Sequence, residues 1–354
     1  MQERDPRLAP LCGREDNRIA IFSTCPVEIL LAAGLVPADV NNLFVTSPDP
    51  LQLLEDADGM GMPAGICAWT RALVGTTVRH RFRRVLVVTR GDCANNAIVG
   101  RLLLPEDVEV IPFDYPADGP RRSARLRREL ARLMQRLGVD AAVAEATFRG
   151  LRDIRELLAA IDRAGAEGRL PASVVRACLL DSTDFGGDPD AFRLRLARTL
   201  SEATPGCGGA GLLPANGPGA GDRGRPRVAV FGVPSILRGL AECIESLAAH
   251  VVLWETESDF AMIPPAGTLE KQYLAYAYPY GIQRRVARFL ELARARRVDG
   301  ILVYSQAFCQ HNLELVWARK VFSDWPMLVV EGDLPGEISA RERTRMEAFV
   351  EVLS

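Results

Sequence analysis

Short apolar runs alternate with stretches of helical period along this chain, and that alternation confines it to a parallel-sheet α/β architecture. In the second half the strand-like runs are 227–231, 251–254, 300–304 and 327–330, separated by helical-period segments that include 236–249 and 281–297. The first half repeats the plan, with candidate strands at 18–22, 42–46, 84–89 and 108–112, and with 26–35 as a helix opened by Pro26. Residues 119–202 are mainly helical by pattern (119–137, 146–166 and 189–202) and read as an appendage on the first sheet. Residues 204–226 are too rich in glycine and proline for a regular element and read as a linker. The expected fold class is therefore α/β, with two Rossmann-like lobes of parallel sheet and a helical region between them. The expected divisions are 17–203, 204–226 and 227–354.

At 354 residues, with 48% hydrophobic and 25% charged residues, the chain can bury a core large enough for two domains. A formal net charge of −2 gives no basis for broad phosphate-backbone binding, so nucleic acid is not an expected partner. The first residues, Met1 to Arg7, lack the apolar region of a secretory signal, and no run reaches membrane-spanning length, so the expected location is cytoplasmic, away from any membrane. Neither first strand is followed by a G-x-G-x-x-G turn, because Pro26 and Pro234 stand where that turn needs freedom. A dinucleotide-binding reading loses its main signature.

Eight cysteines, none in a C-x-x-C pair, argue against a disulfide framework, zinc ribbons and thioredoxin chemistry. Cys178 and Cys243 fall in helical apolar stretches and read as core packing, while Cys12 and Cys207 fall in tails or loops. Four others stand where a strand ends or a helix opens: Cys25, Cys67, Cys93 and Cys309. Helix N-termini favour thiolates, which iron–sulfur clusters require, so these residues are candidate ligands. Isolated buried thiols are the competing account.

Three blocks carry a family resemblance. Cys25-Pro-Val-Glu28 runs on through Ala32-Ala-Gly to Pro37. Asp299-Gly-Ile-Leu-Val-Tyr304 leads to Phe308-Cys309, and Leu328-Val-Val-Glu331-Gly-Asp333 is followed by Thr344-Arg-Met-Glu-Ala-Phe349. In order and spacing these resemble the 2-hydroxyacyl-CoA dehydratase and benzoyl-CoA reductase iron–sulfur subunits, over roughly residues 18 to 353. The resemblance implies a 4Fe-4S cluster held at the interface of two α/β lobes by Cys67, Cys93 and Cys309, with Cys25 as the possible fourth ligand. The sequence departs from the family at Ala68-Trp69, at Ala307 and at Gly336-Glu-Ile-Ser339.

The resemblance further implies an ATP-hydrolysing iron–sulfur activator that delivers one electron, a homologous subunit or homodimer, and an acyl-CoA substrate. The reaction class is radical dehydration by a lyase, or reduction, of a CoA thioester. The alternatives are a double-cubane-type ATP-driven reductase of small molecules and a non-catalytic partner or electron-carrier subunit. His311 is a candidate proton donor beside Cys309, weighed against a helix-opening histidine. Glu28 and Glu314 suit helix-starting positions whatever their function. Arg345 and Glu347 read as an ion pair, and Tyr273, Tyr276, Tyr278 and Tyr280 as packing between lobes, with an acyl-pocket lining the alternative.

Overall fold

The computed structural model describes residues 17–104, 107–203 and 224–354. Most of the proposed 204–226 linker, together with Cys12 and Cys207, lies outside the described residues. The first half runs β1 (Arg18–Ile21), α1 (Val27–Ala32), β2 (Val36–Asp39), α2 (Val40–Thr46), α3 (Pro50–Gly59), α4 (Ala68–Arg79), β3 (Arg84–Arg90), α5 (Ala94–Ile98) and β4 (Glu109–Asp114). Helices α6 (Arg122–Leu137), α7 (Ala141–Gly150), α8 (Arg152–Ala166), α9 (Ala172–Leu180) and α10 (Pro189–Ala203) follow. The second half runs β5 (Arg227–Gly232), β6 (Leu237–Arg238), α11 (Leu240–Ser246), β7 (His250–Trp254), α12 (Glu255–Phe260), α13 (Leu269–Ala275) and α14 (Ile282–Ala295). It ends with β8 (Gly300–Gln306), α15 (Asn312–Val321), β9 (Met327–Gly332), β10 (Gly336–Glu337) and α16 (Ala340–Leu353).

The α/β class holds. Two four-stranded parallel sheets form, ordered β2-β1-β3-β4 and β7-β5-β8-β9. Counting the main strands of each half from its first, both orders read second, first, third, fourth, so the two sheets share one topology. In each, the chain leaves the first strand in one direction and returns on its other side, which makes a switch point at the carboxyl ends of the first and third strands. Those ends are the turns after β1 and β3 in one sheet and after β5 and β8 in the other.

The sheets belong to two compact units. The first comprises residues 1–153, 181–192 and 264–284, and the second 154–180, 193–263 and 285–354. These divisions do not follow the sequence boundaries at 203 and 227: α9, from the helical region, packs on α11, α12 and β7 of the second unit, while α13 packs on α6 and α7 of the first.

One candidate strand is a helix. Residues 42–46 lie in α2, because the Asp39 side chain accepts from Asn41 N at 2.9 Å and caps the helix before an apolar run can extend. The strand that pairs with β1 is instead β2, where Pro37 is tolerated because β2 is the sheet edge. In the second unit Gly232 closes β5 with φ 130°, and a Cβ there would stand 2.1 Å from Tyr304 O. Only glycine lets β5 end this close against β8.

Candidate functional site

In the first unit, Cys67 and Cys93 are the N-cap residues of α4 and α5. The two helix starts are tied together by Asn95 Nδ2, which donates to Thr70 Oγ1 at 3.1 Å. Gly91, in the turn before Cys93, has φ 97°, and a Cβ there would meet Tyr115 Cβ at 2.6 Å, so glycine is what allows the turn to lie against that ring. Burial chiefly, then Asp92, pushes the Cys93 thiol up to about 11, and Cys67 is close enough to add to the rise. Both thiols thus sit on neighbouring helix N-termini. The raised Cys93 thiol holds its proton in the metal-free chain and would surrender it to a metal.

Cys25 is in a different setting. It follows β1, is fully enclosed, and carries its thiol proton well above the ordinary range, because of burial first and then the charges of Asp39, Glu28 and Asp184. Its turn is clamped through the main chain: Tyr273 Oη lies 2.7 Å from Cys25 O and from Glu28 Oε2, and Tyr115 Oη donates to Thr24 O at 3.0 Å. Tyr280 Oη donates to Tyr273 O at 2.8 Å. The tyrosine cluster is packing within the first unit, with Tyr276 and Tyr280 edge to face on Tyr115 and Tyr273 stacked on it, and these three hydroxyls are bound to main-chain carbonyls.

Beneath this turn, sequence reasoning missed a pair of buried carboxylates. Asp184 Oδ2 accepts from Asp39 N at 2.6 Å, its Oδ1 accepts from Gly186 N at 2.9 Å, and Asn42 Nδ2 reaches Thr183 Oγ1 at 2.9 Å. Burial, then the charge of Asp39, pushes Asp184 up to about 7, and burial raises Asp39 as well. An aspartate in the unfolded chain releases its proton near ~4. The folded carboxyl holds it longer, so this contribution to stability is complete below ~4 and is lost as pH rises through about 7. The melting temperature of the full chain is therefore expected to fall between about pH 5 and pH 8. Asp39→Asn, which removes the larger neighbouring charge, should move that fall to lower pH; a melting temperature independent of pH in the wild type would contradict the assignment.

In the second unit, Cys309 lies in the turn between β8 and α15 and is half-buried. Phe308 before it is exposed and has φ 60°, a left-handed conformation that costs a phenylalanine roughly 1–2 kcal/mol. His311 is the N-cap residue of α15, and its Nδ1 lies 2.7 Å from Glu314 Oε2. Burial opposes ionisation of Glu314, but the His311 hydrogen bond and charge outweigh it and hold that carboxyl below the usual range. Glu347 pairs with Arg343, not Arg345, at 3.2 Å, since residues four apart share a helix face and residues two apart do not. Cys178 and Cys243 are buried in α9 and α11, as core packing requires.

The sequence profile of the family described as 2-hydroxyglutaryl-CoA dehydratase, D-component, matches residues 22–353. The chain belongs to that family. No curated protein matches it. Membership in the D-component family makes it a dehydratase-type enzyme component, and no helix among the described residues is long and apolar enough to cross a membrane.

The family's resident group is a metal cluster, and the first unit offers a donor set suited to one. Cys67 and Cys93 occupy the N-cap positions of adjoining helices, and the Trp69 indole N–H, in the first turn of α4, is buried with no hydrogen-bond partner among the described residues. Thiolates and a spare N–H donor are the groups that hold an anionic iron–sulfur centre. Among the described residues, no three His, Cys, Asp or Glu side chains are already gathered as a preformed metal centre.

Proposed function

We propose that this D-component chain is the 4Fe-4S subunit of a 2-hydroxyacyl-CoA dehydratase-type enzyme, with Cys67, Cys93 and Cys309 as the ligands. The pairing of Cys67 and Cys93 on tied helix N-termini is the observation that supports this most directly. Cys25 is left out of the ligand set: burial first, then Asp39, Glu28 and Asp184, opposes its thiolate, and unlike the half-buried Cys93 it is fully enclosed and is not the N-cap residue of a helix. Three ligands leave one iron open, and a bound cluster of that kind supplies a single electron and a Lewis-acidic position for a thioester carbonyl.

The chain's own residues prepare the ligands. The N-terminus of α4 favours a thiolate at Cys67, the backbone N–H groups of Asn95 and Asn96 partly offset the burial that raises Cys93, and Asn95 fixes the two helix starts relative to each other. Around Cys25, the clamp of Tyr115 and Tyr273 keeps the strand-end turn rigid. In this reading an ATP-hydrolysing activator delivers the electron, a homologous subunit or second copy completes the enzyme, and an acyl-CoA is the substrate. A double-cubane reductase would need more ligands, whereas Cys178 and Cys243 are committed to helix packing.

The test is anaerobic reconstitution of the full chain with iron and sulfide. About four iron and four sulfide per chain are expected, with an EPR signal on reduction. A colourless protein that retains no iron would sink the proposal.

A further inference from the structure

We infer that Gln306 is a positioning residue for the Cys309 thiol, an inference that takes its functional meaning from the ligand role proposed for Cys309. Gln306 is the last residue of β8 and is fully buried. Its side chain is the middle of a directional chain of hydrogen bonds that crosses the carboxyl end of the second sheet. Ile236 N donates to Tyr304 Oη at 3.3 Å, Tyr304 Oη donates to Gln306 Oε1 at 3.1 Å, and Gln306 Nε2 donates to Asp333 O at 2.8 Å. A main-chain carbonyl only accepts, so the amide nitrogen must face Asp333 and its oxygen must face the tyrosine. With one proton, the hydroxyl takes from Ile236 and gives to Gln306. The turns after β5 and β9 are thereby joined through β8.

The main chain of Gln306 holds the cysteine turn from the other side. Its carbonyl accepts from Cys309 N at 3.1 Å and from Asn312 Nδ2 at 2.8 Å, and Asn312 Oδ1 accepts from Ser305 Oγ at 2.9 Å. Between these anchors Phe308 is kept in its left-handed conformation. Such a conformation persists only where the surroundings over-determine it. An apolar side chain of the same length would fill the space but release both turns, so the chain of donors, and not volume, makes the amide necessary.

The test measures Cys309 alkylation in the full-length, iron-free protein, read by peptide mass spectrometry, with Cys93 in the other unit as the internal control. Gln306→Met should accelerate labelling of Cys309 about tenfold, as expected for loss of buried hydrogen bonds, and leave Cys93 unchanged. Gln306→Glu separates positioning from space-filling: a protonated carboxyl accepts from Tyr304 and donates to Asp333, whereas a carboxylate cannot donate. Its labelling ratio to wild type should be near one at about pH 5 and approach that of Gln306→Met at about pH 9. Equal Cys309 labelling in all three proteins, or a Gln306→Glu ratio that ignores pH, would overturn the inference. Should Cys93 labelling rise with that of Cys309 in Gln306→Met, that variant has lost its fold, and the pH ratio of Gln306→Glu decides alone. None of these readouts involves iron. A chain that binds no iron would remove the ligand role of Cys309 and leave the ratios intact; iron bound with flat ratios would remove the positioning role alone.

Discussion

Alanine at Cys67, Cys93 or Cys309 is expected to lower the iron retained after reconstitution by about tenfold or more, whereas Cys25→Ala keeps its full complement. The difference follows from the settings of the thiols. Cys67 and Cys93 stand on helix N-termini, where a thiolate gains from the dipole, and Cys309 stands half-buried at a strand end. Cys25 is fully enclosed, and burial first, then three neighbouring carboxyl groups, opposes its thiolate. Iron and sulfide per chain, with the EPR spectrum of the reduced protein, are the measurements. Cys25→Ala that loses iron as completely as Cys93→Ala would mean a four-thiolate cluster with no open iron, and a carrier or partner role in place of a catalytic one.

Arg285→Met should destabilise the chain by about 3–5 kcal/mol, the range for removing one partner of a buried ion pair. Arg285 and Glu255 are both nearly inaccessible, joined by two hydrogen bonds of 2.9 and 2.7 Å, and the same guanidinium reaches Gly232 O at 3.0 Å and Thr256 Oγ1 at 3.0 Å. Methionine leaves the Glu255 charge without its cation and removes one of the two side-chain donors at Gly232 O, the other being Thr256 Oγ1. Adding Glu255→Leu should recover much of the loss, because an apolar pair in place of a buried ion pair is often neutral. Chemical denaturation of the single and double variants measures both. A loss under about 1 kcal/mol in the single variant would show that the pair is not desolvated as its burial implies.

Much of the fold was legible in the sequence because buried parallel strands leave continuous apolar runs; seven of the eight main strands announce themselves this way. The eighth, β2, contains Pro37 and Asp39, residues that argue against a strand unless its edge position is already known. The apolar run at 42–46 carries strand character, but Asp39 caps it into a helix, and capping is decided by side-chain geometry rather than by composition. Of the site, the strand-end cysteines were visible, because a thiol between a strand and a helix is a local pattern. Asp184 was not, since it sits in a Gly-rich turn with no periodicity and meets Asp39 only through folding, 145 residues away. The tyrosines of 273–280 were visible as a cluster, but the Tyr273 partners Cys25 and Glu28 lie near the opposite end of the chain, so no local signal gave their role.

The clamp on Cys25 sets an order of events during synthesis. Tyr273 and Cys25 are separated by 248 positions, and the first unit draws on three stretches of chain that end at residue 284. At about 5–20 residues per second, an emerging polypeptide waits tens of seconds between the appearance of Cys25 and that of the ring that fastens its turn. The first sheet can pair during this interval, while its strand-end turn remains without the Tyr273 and Tyr280 contacts. A nascent chain interrupted before residue 284 thus carries an incomplete first unit, and a fragment of residues 17–203 lacks the segment that finishes it.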